Sequence, residues 1–389
     1  MCMIVFGNAQ RVSPKRCRVR CTFLLILIAI LNPSAGSSEP SAPIEPAQPS
    51  SLIATVRVEA PLDFCGEAVP LKTPDVRERM EKELLLTLWD RPQVILWFKR
   101  SKRYLPLIEK MLQDNNLPED LKYVAIAESA LRPHAGSHKG AIGFWQFTPA
   151  TGKKYGLKIN SQVDERRNIF RSTRAAIDYF KELHDMLASW TLSAAAYNMG
   201  EQGLSAEILA QKTNDYYQLY LPLETQRYVF RILAAKLIFS DPERYGFRFR
   251  PEDFYPPLQF DRIQLDCFQE TPIHIIAQAA QTYFKAIKDL NPEIRGHYIA
   301  AGRHSILIPQ GADQGFQVRF EKLVEQWLSD NQERVYVVKQ GDSLSAIARR
   351  FNVPLPALLI WNRLGLKQKI HPGDKLIIYP NENETGNSE

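Results

Sequence analysis

The stretch "YVAIAESALRPHAGSHKGAIGFWQF", Tyr123 to Phe147, joins an apolar run to a lone acid, a permissive loop and an aromatic cluster. The residues just before it include Pro118, Glu119 and Asp120, types that a helix N-terminus favours. Counting back from Glu128 by three, four and seven reaches Ala125, Val124 and Leu121, so the acid shares the apolar face of the helix. It also falls in the last turn, at the negative end of the helix dipole. Burial and dipole both disfavour the charged form, so the sequence predicts a raised pKa and a carboxyl able to donate a proton near neutrality. A structural glutamate paired with a neighbour such as Arg132 satisfies the same pattern.

Around this stretch the periodicity is helical. "PDVRERMEKELLLTLW" spaces Val76, Met80, Leu84 and Leu88 four apart with charges between, and similar patterns run to about Phe239. Strand-like alternation is nearly absent there, which predicts an all-α domain. "RYGFRFRPEDFYPPLQF", around 244–260, is rich in Pro and aromatic residues and reads as a boundary.

Residues 334–380 read differently. A strand, Val335 to Lys339, leads through a Gly341-Asp342-Ser343 turn to a helix with Leu344, Ile347 and Ala348 inward. A second helix carries Leu358, Leu359 and Trp361, and a closing strand runs from Lys375 to Tyr379. Residues 258–310 repeat the plan, with "FDRIQLDCF", "IHIIAQAAQTYFKAIKDLNPEIRG" and "RHSILIP", but lack the Gly-Asp turn. Residues 311–333, with "FEKLVEQWL", read as a connecting helix.

At the other end, Arg11, Lys15, Arg16, Arg18 and Arg20 precede the apolar run "TFLLILIAIL" and the small residues "NPSAGSS". That order predicts an export signal over 1–36, with an apolar run too short to span a bilayer as a helix. Residues 37–60 read as a flexible Pro/Ser-rich leader and 381–389 as a disordered tail. Removing the signal leaves 44 basic against 43 acidic residues, so the formal +6 of the whole chain comes almost wholly from it. Nothing in that balance points to nucleic acid. Cys65 and Cys267 remain after cleavage, and spacing leaves open whether they pair. No cluster of Cys and His calls for a metal or another cofactor.

Three motifs carry a family resemblance. The first is Glu128-Ser129, Ser137, Gly140, Gly143, Gln146 and Pro149-Ala150-Thr151-Gly152; the second is Ala196-Tyr197-Asn198-Met199-Gly200; the third is Glu224-Thr225-Gln226-Arg227-Tyr228-Val229. In this order they resemble the lysozyme-like lytic transglycosylases, and 334–380 resembles the LysM domain along its whole length. With that tail, the mature chain is similar to the D type of membrane-bound lytic murein transglycosylases. One departure is Thr148, where relatives usually carry Met.

The resemblance implies a multidomain chain: an N-terminal helical region (61–115), a mainly α lysozyme-like catalytic domain (116–245) and small βααβ LysM-type modules. It implies cleavage of the β-1,4 bond between N-acetylmuramic acid and N-acetylglucosamine of peptidoglycan glycan strands. The product it implies is a 1,6-anhydro sugar, with Glu128 as acid and then base. A hydrolytic muramidase of the same fold and a non-cutting wall-binding protein are the alternatives. Ser137, Gly143, Gln146, Thr148, Tyr197, Asn198 and Glu224 are implied to contact substrate, with Gly140 and Gly143 letting the chain pass close to glycan. Tyr197, ending its helix before Gly200, would send its hydroxyl into a cleft or pack as a core tyrosine. Glu224 would shape the field opposite Glu128 or cap its helix, and Trp145 reads as packing. Gly341, Asp342, Ser343, Leu344 and Asn362 are implied to bind glycan in the LysM module. The expected setting is the periplasm or cell envelope, as a monomer, with peripheral membrane association left open.

Overall fold

The computed structural model describes residues 52–333, 335–366 and 368–379. The export signal, most of the leader and the C-terminal tail lie outside the described residues.

Helix α1 (Leu52–Val56) and a hairpin of β1 (Asp63–Phe64) and β2 (Glu67–Ala68) precede the helical block. In α2 (Pro74–Trp89) the four-residue spacing does what it predicts, burying Val76, Met80, Leu84 and Leu88 along one stripe. There follow α3 (Arg91–Gln113), α4 (Lys122–Ser129), α5 (Pro149–Lys154), α6 (Ile169–Leu187), α7 (Trp190–Met199), α8 (Glu201–Gln211) and α9 (Leu223–Ser240). Asn168 caps α6 by accepting from the N–H groups of Phe170 and Arg171, and Ser189 caps α7 by accepting from that of Leu192. The centre is α9, which packs on α2, α4 and α7 and buries residues on nearly every side, from Thr225 to Ile238. One apolar core runs from Val56 to Phe247, so the 61–115 helices and the 116–245 segment share it.

Two long-range polar ties bind the N-terminal hairpin into that core. The Glu67 carboxylate accepts from Ser189 Oγ, the Trp190 and Thr191 N–H groups and Thr191 Oγ1, capping α7 from outside the helix. Lys236 Nζ on α9 bridges Asp63 Oδ1 at 3.0 Å and Asp120 Oδ2 at 2.7 Å.

Residues 260–309 follow a strand, helix, helix, strand order. β3 (Phe260–Cys267) pairs antiparallel with the returning strand, from Phe260 opposite Pro309 to Cys267 opposite Gly302. Between them lie β4 (Thr271–Pro272), α10 (Ile273–Ala279), α11 (Phe284–Leu290) and β5 (Tyr298–Ile299), with the return strand as β6 (Gly302–Pro309). The segment read as a connector is a helix, α12 (Phe316–Glu333), but it also contributes Phe316 and Phe320 to this module's core. The last module has β7 (Val335–Val337), α13 (Leu344–Arg350), α14 (Leu355–Asn362) and β8 (Lys375–Ile377), its strands two residues shorter than the alternation suggests.

The two modules share a strut. Asn291 donates from Nδ2 to the carbonyls of Ile287 and Leu307 and accepts from the Leu307 N–H. Asn362 does the same with Leu358, Ile377 and the Ile377 N–H. In each case an amide at a helix end ties that helix to the closing strand. Cys65 lies against the helical core and Cys267 inside the second core, and both are free thiols.

Candidate active site

Glu128 stands one residue before the end of α4. Ala130 ends that helix in the left-handed region, at φ 53°, with its N–H on the Ile126 carbonyl, so the chain turns away sharply after the acid. Leu121, Val124 and Ala125 are fully inaccessible, which fixes the Glu128 face toward α9. There Tyr228 donates its hydroxyl to Glu128 Oε1 at 2.5 Å. Among the described residues Glu128 makes no ion pair, and Arg132 instead donates Nε to the Ser129 carbonyl. The ion-paired reading of this acid therefore fails.

Burial lifts the Glu128 pKa to about 7, against the pull of the Tyr228 hydrogen bond and the Arg231 charge and with a smaller push from Glu224. A carboxyl poised there can donate a proton and take one back at neutral pH. The sequence reading missed Tyr228, although the third motif contains it. Standing four residues after Glu224, it shares that helix face, and a hydroxyl on so apolar a helix needs a buried partner.

A cleft of about 520 Å³ opens beside Glu128. Ser137, Gln146, Thr148, Tyr197, Asn198 and Glu224 all line it, so six of the seven expected substrate contacts converge. Each also has a local task. Ser137 Oγ accepts from the Ala141 N–H, and Gln146 donates to the carbonyls of Ala135 and Gly143. Thr148 caps α5 by accepting from the Thr151 N–H, which a Met side chain could not do. Asn198 Oδ1 accepts from Thr225 Oγ1 at 2.8 Å. Glu224 sits in the first turn of α9 without a capping hydrogen bond, exposed on the cleft wall and 3.8 Å from Lys139 Nζ.

Two expectations need correction. Gly143 does not line the cleft: it has φ +89°, and a Cβ there would lie 1.8 Å from the Arg166 carbonyl oxygen, so packing and not glycan demands the glycine. The Tyr197 hydroxyl does not project freely into the cleft but donates to the Trp145 carbonyl at 2.7 Å. Its ring stacks on Phe180, 4.8 Å between centroids and 3° from parallel. Asp164, the first acid downstream of the glycine loop, is buried against Arg166 and is no second catalytic carboxylate. Trp145 is fully buried and donates Nε1 to Thr173 Oγ1, a packing role as read.

In the last module the expected glycan contacts are mostly engaged within the fold. Gly341 takes φ +85° in the turn, and Asp342 accepts from the Tyr336 hydroxyl and the Lys339 N–H. Ser343 caps α13, Leu344 packs against the module core, and Asn362 is the strut described above. The side-chain polar atoms of Asn362 are thus committed before any ligand arrives. Among the described residues no group of His, Cys, Asp and Glu could hold a metal ion, and no helix is long and apolar enough to cross a membrane.

The Transglycosylase SLT domain family matches residues 106–220, and the LysM domain family matches residues 336–378. The chain is 31% identical over 334 residues to the membrane-bound lytic murein transglycosylase D of Escherichia coli strain K12, covering 81% of this chain and 72% of that protein. The same figures hold for the protein of that name from Escherichia coli O6:H1 strain CFT073. Among solved structures, the 70 kDa soluble lytic transglycosylase of Escherichia coli overlays at a TM-score of 0.33 with 17% identity, over 47% of this chain and 33% of that one. That overlap is too small to bear on the fold.

Proposed function

The chain belongs to the lytic murein transglycosylase family, and from that membership we propose that Glu128 alone provides the acid and base for non-hydrolytic cleavage of peptidoglycan glycan strands. The bond cut is the β-1,4 link from N-acetylmuramic acid to N-acetylglucosamine. The observation that carries the reading is Glu128 itself, its carboxyl buried at the foot of the cleft, without an ion pair among the described residues, with a pKa near 7 and held by one tyrosine hydroxyl.

The protonated carboxyl gives its proton to the leaving glycosidic oxygen as the bond from C1 breaks. In the family mechanism the N-acetyl group of the muramic residue stabilises C1 at this stage, taking the part that a second carboxylate plays in most glycosidases. Glu128, now ionised, removes the proton of the C6 hydroxyl, and O6 closes on C1. The proton is back on Glu128, no water has entered, and the product is a 1,6-anhydromuramoyl end. Glu201 suits this reading as a wall residue and not as a partner acid. Its pKa is lowered by a backbone N–H at the start of α8 and, less, by Tyr179, so it stays ionised.

Substrate contacts are assigned to Ser137, Gln146, Thr148, Tyr197, Asn198 and Glu224, supported by their convergence on the cleft. Wall retention is assigned to the 334–380 module, whose eight basic and two acidic residues suit an anionic polymer. The setting is the cell envelope, with export into the periplasm and peripheral membrane contact as finer parts of the proposal. Mass spectrometry of muropeptides released from purified sacculi, beside Glu128→Gln, tests the whole. Products lighter by one water and absent with the variant support it, while full-mass reducing ends make the protein a muramidase.

A further inference from the structure

The glycine loop that walls the cleft is wrapped around one residue of a neighbouring turn. Arg166 is 4% exposed and pairs with Asp164 through two parallel bonds, Nε to Oδ1 and Nη2 to Oδ2, both 2.8 Å. Its Nη1 donates to the carbonyls of Gly140 at 2.9 Å and Phe147 at 3.1 Å, the two ends of the loop. The middle of the loop rests on the backbone of the same residue, at the Gly143 contact with the Arg166 carbonyl. Ala141, Gln146 and Phe147, held between these points, face the cleft.

The turn is in turn gripped from the 260–309 module. Asp164 donates its N–H to the Glu293 carbonyl and Arg295 donates its own to Gln162, both at 2.8 Å, while Val163 and Ile294 form a β-bridge between them. Asn168 Nδ2 reaches Glu293 Oε1 at 2.8 Å, and Arg295 Nη1 reaches the Asn160 carbonyl at 3.1 Å. A continuous chain of hydrogen bonds therefore runs from that module through Asp164 and Arg166 to the loop carbonyls.

We propose that the 260–309 module braces the catalytic loop, and that Arg166 is the positioning residue through which it acts. A guanidinium committed to two carboxylate oxygens and two carbonyls cannot shift without breaking charge-assisted bonds, so the loop inherits its rigidity. Misplacing a substrate-positioning segment by about 1 Å can lower rates about 100-fold. The inference rests on the reading of the Glu128 cleft as the lytic site, and it gives the module a task that needs no glycan.

The test uses the intact chain with Arg166→Lys, which keeps the charge and loses the fork, and Arg295→Pro, which removes both Arg295 bonds at an exposed position. Hydrogen exchange at the Ile142 and Gly143 amides, bonded to the Phe147 and Ala135 carbonyls, should quicken by roughly tenfold or more in both variants, while α9 keeps its protection. Turnover of sacculi should fall roughly 10- to 100-fold with Arg166→Lys and less with Arg295→Pro. The pH at which activity declines should stay put in both, because Arg166 does not touch Glu128. Unchanged loop exchange in Arg295→Pro overturns the brace, and a moved pH limb in Arg166→Lys replaces positioning with an electrostatic role. If Arg166→Lys unfolds the domain, Arg295→Pro decides alone. Activity that survives Glu128→Gln would sink the cleft reading instead, whatever the loop exchange shows.

Discussion

Tyr228 and Glu128 lie 100 residues apart in sequence and 2.5 Å apart in space, and that tyrosine is the sole hydrogen-bond donor to the carboxyl among the described residues. The bond favours the ionised acid, so it opposes the burial that raises the pKa. A hydrogen bond to a charged group is worth about 1.5–3 kcal/mol, or about one to two pKa units. Tyr228→Phe should therefore move the alkaline limb of kcat/KM upward by about one to two units. A pH–rate profile checks this, and a limb that stays still or moves down refutes it.

Glu128 also sets a pH-dependent stability. Its folded pKa of about 7 lies above the ordinary 4.5, so the folded state holds a proton that the unfolded chain has lost. Stability attributable to this group is unchanged below 4.5, falls as pH rises from 4.5 to 7, and is flat above. The shift corresponds to at most about 3 kcal/mol, less what the opening to the cleft relieves. Glu128→Gln should raise the melting temperature at pH 8 and leave it nearly unchanged at pH 4. Calorimetry at the two pH values measures the difference.

Gly143→Ala would place a methyl 1.8 Å from a backbone oxygen at φ +89°. The strain alone amounts to about 1–3 kcal/mol. The loop must move off Arg166, so turnover of sacculi should fall about 100-fold while the helical CD signal persists.

Thr148→Ala removes the α5 cap and should lower stability in urea by about 1 kcal/mol. Thr148→Ser should restore most of it.

Asn362→Leu strips the strut from a module of about 45 residues, leaving groups on Leu358 and Ile377 unpaired at about 1–3 kcal/mol each. The variant should no longer sediment with sacculi yet still cleave soluble glycan fragments, as a pull-down and a product assay would separate.

These cases show what the sequence exposes and what it hides. The α2 stripe and the apolar setting of Glu128 were legible because both are local, written in i, i+4 spacing on one helix. Tyr228 stayed hidden because its partner lies on another helix, and an apolar α9 makes any tyrosine look like core. Gly143 was misread because the atom that forbids a side chain belongs to Arg166, 23 residues later. The strut formed by Asn362 stayed hidden because its bonds close the module and leave no trace in periodicity. Its counterpart Asn291 lies within the segment read as repeating the plan, a pattern that suggests the order of elements but not the strut.

The Glu67 cap bears on how the chain comes to be folded. Its partners at Ser189 to Thr191 lie 122 to 124 residues downstream, and Lys236 returns to Asp63 across 173 residues. A chain emerging N-terminus first carries its hairpin and Glu128 long before α7 and α9 exist to receive them. Contacts this distant in sequence slow the search for the native state. They also mean that Glu128 gains the burial behind its raised pKa only once α9 has emerged to pack on α4, so in a half-made chain it is an ordinary carboxylate.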